Sequence, residues 1–161
     1  MLGAVCLVLA GCGAGEQVTP SALAKARRNW SKAKIHDYNL EWTSSGQRTS
    51  HYRVYVRDGK VKRIDSVLPG GHEKVMHPAE PDMYSVDGLL QVIEEELAQV
   101  KGPSPFGQAH GAGAVLRFTP DPALGYPKSY SRDVPGTPQG LAIDVVRLDV
   151  NPPSAIPPPV P

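Results

Sequence analysis

The sequence predicts an α+β domain with an antiparallel sheet of about six strands, in the order helix, three strands, helix, three strands. Two segments carry apolar residues at the spacing of one helix face, and six others are predicted as strands from alternating apolar and polar residues. The links between successive strands are short enough for hairpins, so neighbouring strands should run antiparallel. One amphipathic helix from each half would then cover a face of the sheet.

The first eleven residues read as an export signal rather than as part of this fold. Residues 1–9 are an apolar run that is far shorter than the ~20 residues needed to span a bilayer, but long enough for a secretory signal. The run ends in Leu9-Ala10-Gly11-Cys12, which resembles the lipobox of bacterial lipoproteins. The resemblance implies that residues 1–11 are a lipoprotein signal peptide and that Cys12 carries the lipid, such as palmitate. We therefore expect residues 12–18 to be a tether to the membrane, with the chain in the cell envelope facing outside the cytoplasm.

Composition places one domain at residues 19–150. The 161 residues include 17 basic and 16 acidic side chains, and this balance indicates neither a nucleic-acid partner nor a disordered acidic chain. Cys6 falls in the signal and Cys12 is assigned to the lipid, so the mature domain should contain no disulfide. A conventional apolar core must therefore stabilise it.

The first helix is predicted from a capping residue, Thr19, followed by Pro20 at the first helical position. Its apolar stripe (Leu23, Ala26, Trp30 and Ala33) lies among five cations: Lys25, Arg27, Arg28, Lys32 and Lys34. These cations could face an anionic membrane surface, or the helix could pack on the sheet beside the acidic second helix. We favour packing, because Leu23 and Trp30 need burial.

The clearest strand signal is a hairpin around Asp58-Gly59. A first strand, with Tyr38, Leu40 and Trp42 on one side, precedes two alternating runs that flank this turn. Val56 should face Val61 across it. Because the same register would leave Ile64 in solvent, we predict a one-residue bulge near Lys62 or Arg63, which would place Ile64 opposite Val54.

In the second half, residues 68–84 are interpreted as a long connection, and the second helix begins after the cap Ser85. Gly102-Pro103 should end that helix. Strands then follow at residues 114–118, at residues 126–132, where Pro127 indicates an edge or a bulge, and at residues 141–150, with a bulge between Val145 and Val146. Residues 151–161 contain six prolines and predict a disordered, extended and solvated tail.

Several motifs occur together in a recognisable order. They are Ala26-Arg27 with Trp30, Asp37-Tyr38, Val54-x-Val56-Arg57-Asp58-Gly59-Lys60-Val61, Ser85-Val86-Asp87-Gly88-Leu89 and Asp121-Pro122-x-Leu124-Gly125-Tyr126-Pro127. Together they resemble a family of uncharacterised bacterial exported and lipid-anchored proteins, a domain of unknown function, over roughly residues 19–150. The resemblance implies a lipoprotein but no activity. Members often carry cysteines after the first strand, whereas Ser44-Ser45-Gly46 has none, so no redox role is carried over.

Candidate chemistry is sparse. A polar loop contains possible metal ligands (His72, Glu73, His77, Glu80 and Asp82), but their spacing is loose and broken by prolines, so an exposed loop is favoured. Glu94-Glu95-Glu96 is interpreted as a solvated helix surface, because adjacent helical residues do not face each other. The sequence contains no nucleophile elbow, phosphate loop or Cys–His pair. We therefore name no catalytic residue, no cofactor and no metal site.

The predicted function is a non-catalytic binding or scaffolding module for an envelope protein or a small ligand. A possible contact surface is the exposed aromatic or edge-strand surface expected around Tyr126 to Tyr130. The Pro-x-x-Pro pattern of residues 158–161 could fit a partner's groove, although a disordered end is favoured. The alternative function is an envelope hydrolase, which would require a cleft with convergent polar residues.

Overall fold

The computed structural model describes residues 15–102, 105–107 and 113–160, and Cys12 lies outside them. The strands are β1 Glu16–Gln17, β2 Tyr38–Ser45, β3 Ser50–Arg57, β4 Lys60–Val67, β5 Glu73–Met76, β6 Val115–Pro120, β7 Pro127–Asp133 and β8 Leu141–Val150. The helices are α1 Pro20–Ala33 and α2 Val86–Gln99, with 3-10 turns at Pro81–Tyr84 and Pro105–Gly107. No helix among the described residues is long and apolar enough to cross a membrane.

The α+β class and the antiparallel sheet are confirmed, but the sheet has eight strands rather than about six in the part of the chain that the structure describes. Its order is β1-β6-β7-β8-β2-β3-β4-β5. The two extra strands are the edges: β1 arises from the expected tether and β5 from the expected connection of residues 68–84. With two and four residues, they are too short to show an alternating pattern, and their order depends on the longer strands beside them.

Helix α1 begins as predicted. The hydroxyl of Thr19 accepts a hydrogen bond from the Ala22 amide at 3.1 Å, and Leu23 and Trp30 are buried. The guanidinium of Arg27 lies 2.7 Å from the Glu94 carboxylate of α2. The packing interpretation of this basic helix is therefore confirmed, and both helices contribute to a single core with one face of the sheet.

The hairpin between β3 and β4 is also confirmed. Asp58 and Gly59 both have positive φ, and Val56 pairs with Val61. Val54 pairs with Ile64, because the register shifts by one residue, with Lys62 as the extra residue. The predicted bulge therefore turns Ile64 into the core, where it is 1% exposed.

Strand β8 has the predicted second bulge, since Trp42 pairs with Val145 and Glu41 with Arg147. Of the two alternatives predicted from Pro127 in strand β7, the bulge is confirmed and the edge position is not. This strand lies between β6 and β8, and Tyr130 is only 1% exposed. Pro127 is accommodated by a register shift opposite Pro120 instead of an edge position. The contact surface expected at Tyr126–Tyr130 is therefore wrong.

The start of α2 packs on the core side of the sheet, where Tyr38 of β2 contacts it. Ser85 caps the helix by accepting from the Gly88 amide at 3.1 Å, as predicted. The hydroxyl of Tyr38 accepts from the Val86 amide, and the Trp30 ring meets Tyr38 edge-on with centroids 5.4 Å apart. Burial raises the pKa of Tyr38 to about 12, so it remains a neutral hydroxyl at physiological pH.

Residues 151–160 contain no helix or strand, but they contact the domain. The Asn151 amide donates to the Asp37 carbonyl at 2.9 Å, and Val160 forms two hydrogen bonds with Glu73. The sequence predicts a disordered, wholly solvated tail, and this prediction is wrong because the segment crosses the sheet and bonds to it. Its contacts belong to the candidate site.

Candidate binding face of the sheet

Charged side chains cover the face of the sheet that points away from the helices. Along β2 and β3 the core-facing residues alternate with outward ones, which places Glu41, Arg53 and Tyr55 on the outer side. We call this outer surface of β2, β3, β4, β5 and β8 the polar face.

Glu41 is the hub of one network on the polar face. One carboxylate oxygen lies 2.7 Å from Nε2 of His51, and the other lies 3.4 Å from Nε of Arg53. Arg53 also pairs with Glu73 of β5 through a hydrogen bond from Nη1. Three strands are thereby joined through side chains, and Arg53 links two carboxylates.

A second cluster lies on β3 and β4. The guanidinium of Arg63 stacks over the Tyr55 ring at 4.3 Å and donates from Nε to Oδ2 of Asp65 at 2.9 Å. Asp65 is fully buried, and its Oδ1 has no hydrogen-bond partner within the described residues. Burial raises the pKa of Asp65, and the charge of Arg63 offsets part of that rise.

A groove of about 290 Å³ crosses the polar face. It is lined by Asn39, Glu41, Arg53, Tyr55, Arg147, Asp149 and Pro157, together with parts of Leu40 and Val54. Pro157 belongs to the segment that crosses the sheet, so one wall of the groove is a piece of this same chain. The groove therefore combines charged side chains with a bound polypeptide.

Two other cavities lack such an arrangement. One, of about 560 Å³, is an open groove between the β3–β4 turn and the start of α2. Its carboxylates already serve the fold, because Asp82 accepts from the Val61 amide and Asp87 accepts from the Trp30 indole. A cavity of about 270 Å³ beside α1 and β6 has Lys25, Asn29 and Phe118 in its wall and no ion pair between described residues.

The possible metal ligands of residues 72–82 do not converge. Glu73 turns to Arg53, Asp82 binds the β3–β4 turn, and His77 is exposed. No group of three or more His, Cys, Asp or Glu side chains within residues 15–102, 105–107 and 113–160 is arranged to hold a metal ion. The sequence predicts a loop at Glu73, because nothing in the local pattern indicates that β5 pairs with β4.

The interpretation of Glu94–Glu96 as a solvated surface is wrong for Glu96. Glu94 and Glu95 are exposed, but Glu96 is buried and accepts hydrogen bonds from Tyr130 and Arg132. Burial raises the pKa of Glu96, and its two partners offset part of that rise. A signal was present, since residue 96 follows Leu89 and Ile93 at helical spacing.

Comparison with known proteins gave no match, either to a protein-family model or to a curated protein sequence.

Proposed function

We propose that this chain is a lipid-anchored, non-catalytic binding module of the bacterial cell envelope, and that the polar face is its contact surface. The lipobox-like Leu9-Ala10-Gly11-Cys12 supports the anchor. Only three residue steps separate Cys12 from Gly15, the first described residue, and fully extended they reach about 10 Å. The domain would therefore lie close to the membrane, facing outside the cytoplasm.

The observation that carries the binding proposal is the polypeptide segment held on the polar face. Arg57 donates to the Pro153 carbonyl at 3.0 Å, and Glu73 exchanges two hydrogen bonds of 2.8 Å with Val160. Both groups come from the sheet, and both contact main-chain atoms of a segment that contains no helix or strand. A surface that binds such a segment within the chain has the chemistry to bind one from a partner.

The test is site-specific photo-crosslinking in bacterial cells that produce the full chain. A photoreactive residue replaces Thr43, which is half-buried on the polar face, and a control replaces Lys32, which is exposed on α1. We expect a discrete adduct from position 43 that is absent from position 32. Identical adducts from both positions, or none from position 43, would refute a contact surface on the polar face.

His51 and Glu41 support a second candidate, an envelope hydrolase. The pair is separated by 2.7 Å and lies beside the groove, and a histidine oriented by a carboxylate can act as a general base. Its carboxylate is shared with Arg53, and no hydroxyl within the described residues is hydrogen-bonded to the imidazole. Hydrolysis of ester or peptide probes that disappears in His51→Ala, but not in His77→Ala, would favour this candidate.

A further inference from the structure

Residues 151–160, which we call the proline-rich segment, cross the polar face between two anchoring points. At the first, Nη2 of Arg57 donates to the Pro153 carbonyl. At the second, the Val160 amide donates to Oε2 of Glu73, and the Val160 carbonyl accepts from the Glu73 amide. Pro157 lies between them, in the wall of the groove.

Both anchoring points recognise the backbone of the segment rather than its side chains. The atoms of the segment that bond to Arg57 and Glu73 are two carbonyl oxygens and one amide nitrogen. The two carbonyl contacts accept any residue, whereas the amide contact excludes only proline, which has no backbone N–H. A proline-rich chain adopts an extended conformation before binding, so it loses little conformational entropy when it docks.

Glu73 is a specific part of this recognition. Its side chain is only 1% exposed, because Arg53 binds one carboxylate oxygen and the Val160 amide binds the other. When the segment leaves, this second oxygen loses its donor. An amide from another extended peptide can replace that donor without any change in the sheet.

The segment is held lightly between its two anchoring points. No hydrogen bond joins residues 154–159 to any other described residue, and the Val160 side chain remains 47% exposed. A segment fixed at two points can be displaced without disturbing the core, which lies on the opposite face of the sheet.

We propose that the polar face docks an extended, proline-rich segment of another envelope polypeptide, and that the chain's own proline-rich segment occupies the groove until that partner displaces it. This inference rests on the proposed binding function. We infer a proline-rich occupant because the segment that lies in the groove is itself proline-rich, and its contacts show which chemical groups the polar face binds. A tethered competitor acts at an effective concentration of about millimolar, so it weakens the binding of a free peptide.

The test measures fluorescence anisotropy of a labelled ten-residue peptide that has valine at position nine and proline elsewhere, which we call the proline–valine peptide. Its valine supplies the one amide donor that Glu73 needs. Binding is measured with the detergent-solubilised full chain and with a chain that stops after Asn151. We expect the shortened chain to bind at least about tenfold more tightly, because its groove lacks the tethered competitor. Equal affinity for the two chains, or no binding to a shortened chain with a native unfolding transition, would overturn the proposal.

Two variants test the contacts themselves. In the shortened chain, Glu73→Ala should abolish binding of the proline–valine peptide, whereas Glu94→Ala should leave it unchanged. Glu94 is the matched control, because it is also a carboxylate paired with an arginine, but on the helical side. Loss of binding in both variants would contradict a role specific to Glu73.

If the shortened chain does not fold, Val160→Pro in the full chain serves instead. It removes the amide that donates to Glu73 and so weakens the tethered competitor, and it should increase binding of the proline–valine peptide. Binding of a peptide with residues 152–161 but not of the proline–valine peptide, or concentration-dependent dimers with exchanged segments, would refute a proline-rich partner. Crosslinking from position 43 would still support the binding function in those cases, so the two proposals can fail separately.

Discussion

The hydroxyl of Tyr130 donates a hydrogen bond to Oε2 of Glu96, which joins the middle of β7 to the last turns of α2. Arg132 donates to the other carboxylate oxygen at 2.6 Å, and its guanidinium stacks over Phe106 at 4.5 Å. Burial and the charge of Glu96 raise the pKa of Tyr130, so its hydroxyl remains a donor at every physiological pH. A single buried carboxylate thus fixes the helix to the sheet.

Glu96→Ala should destabilise the fold by about 3 kcal/mol, at the low end for breaking a buried ion pair, because the Arg132 side chain is 18% exposed. The variant leaves both the Tyr130 hydroxyl and a charged guanidinium without their acceptor. Urea unfolding measures the free-energy change. Glu95→Ala is the control on the exposed side of α2 and should cost less than about 1 kcal/mol. Equal losses would contradict the assignment.

The raised pKa of Glu96 predicts how the stability of the fold depends on pH. Burial raises the pKa of Glu96 above its ordinary value of 4.5, so the folded state holds the proton more tightly than the unfolded state. This difference in proton binding stabilises the folded state fully below pH 4.5. The stabilisation is lost as the pH rises through the raised pKa of Glu96. We expect the free energy of unfolding of Glu96→Gln, minus that of the wild type, to increase over this range. A difference that stays constant or decreases from about pH 4 to about pH 7 would contradict this.

Glu96 also shows how much of the fold a local sequence pattern can predict. The spacing from Leu89 through Ile93 places residue 96 on the apolar face of α2, but its charge makes the same position look solvated. Glu96 can be buried because its carboxylate accepts hydrogen bonds from Tyr130 and Arg132, which are 34 and 36 positions away in the sequence. A helical pattern predicts which face of a helix is buried. It does not predict the partners that stabilise a buried charge, because those depend on the tertiary structure.

The hairpin could be predicted in more detail, because its information is local. Asp58-Gly59 fixes the turn, and the conflict between that register and the burial of Ile64 requires a bulge. The polar face could be predicted only in part. Alternation places Arg53 on the solvent side of β3, but its pairing with Glu73 needs β5, a four-residue edge strand with no signal of its own.

Gly125→Ala should be among the most destabilising single substitutions in the chain. Its φ is +83°, and a Cβ there would lie 2.1 Å from the carbonyl oxygen of Ala26 in α1. Gly136→Ala is a matched control, since its φ is +76° and nothing lies within 4 Å of the added Cβ. We expect a loss of about 3 kcal/mol or more at position 125 and about 1 kcal/mol at position 136 in urea unfolding. Similar losses would show that α1 does not press on this turn.

Deletion of Lys62 should be tolerated, although it removes a residue from within a strand. Lys62 is the extra residue of the bulge, so its removal leaves Val61 opposite Val56 and Ile64 opposite Val54. We expect a loss of less than about 1 kcal/mol in thermal or urea unfolding.

Deletion of Arg117 is the control for this prediction. It is also exposed within a strand, but Leu116 and Phe118 on either side are both buried, so its loss turns one of them to solvent. This variant should lose about 3 kcal/mol or more. If both deletions were equally harmful, the bulge would not be the feature that absorbs Lys62.

Cys12→Ser should abolish incorporation of radiolabelled palmitate and release the protein from the membrane fraction, because the thiol at position 12 is the predicted attachment site. Cys6→Ser is the matched control: it lies within the predicted signal peptide and should leave labelling unchanged. Mass spectrometry of the mature protein gives a second readout, an amino terminus at Cys12 with the mass of the lipid. A mature chain that retains Met1 and a free Cys12 thiol would overturn the anchor. It would also remove the argument that the polar face meets its partner within about 10 Å of chain from a membrane.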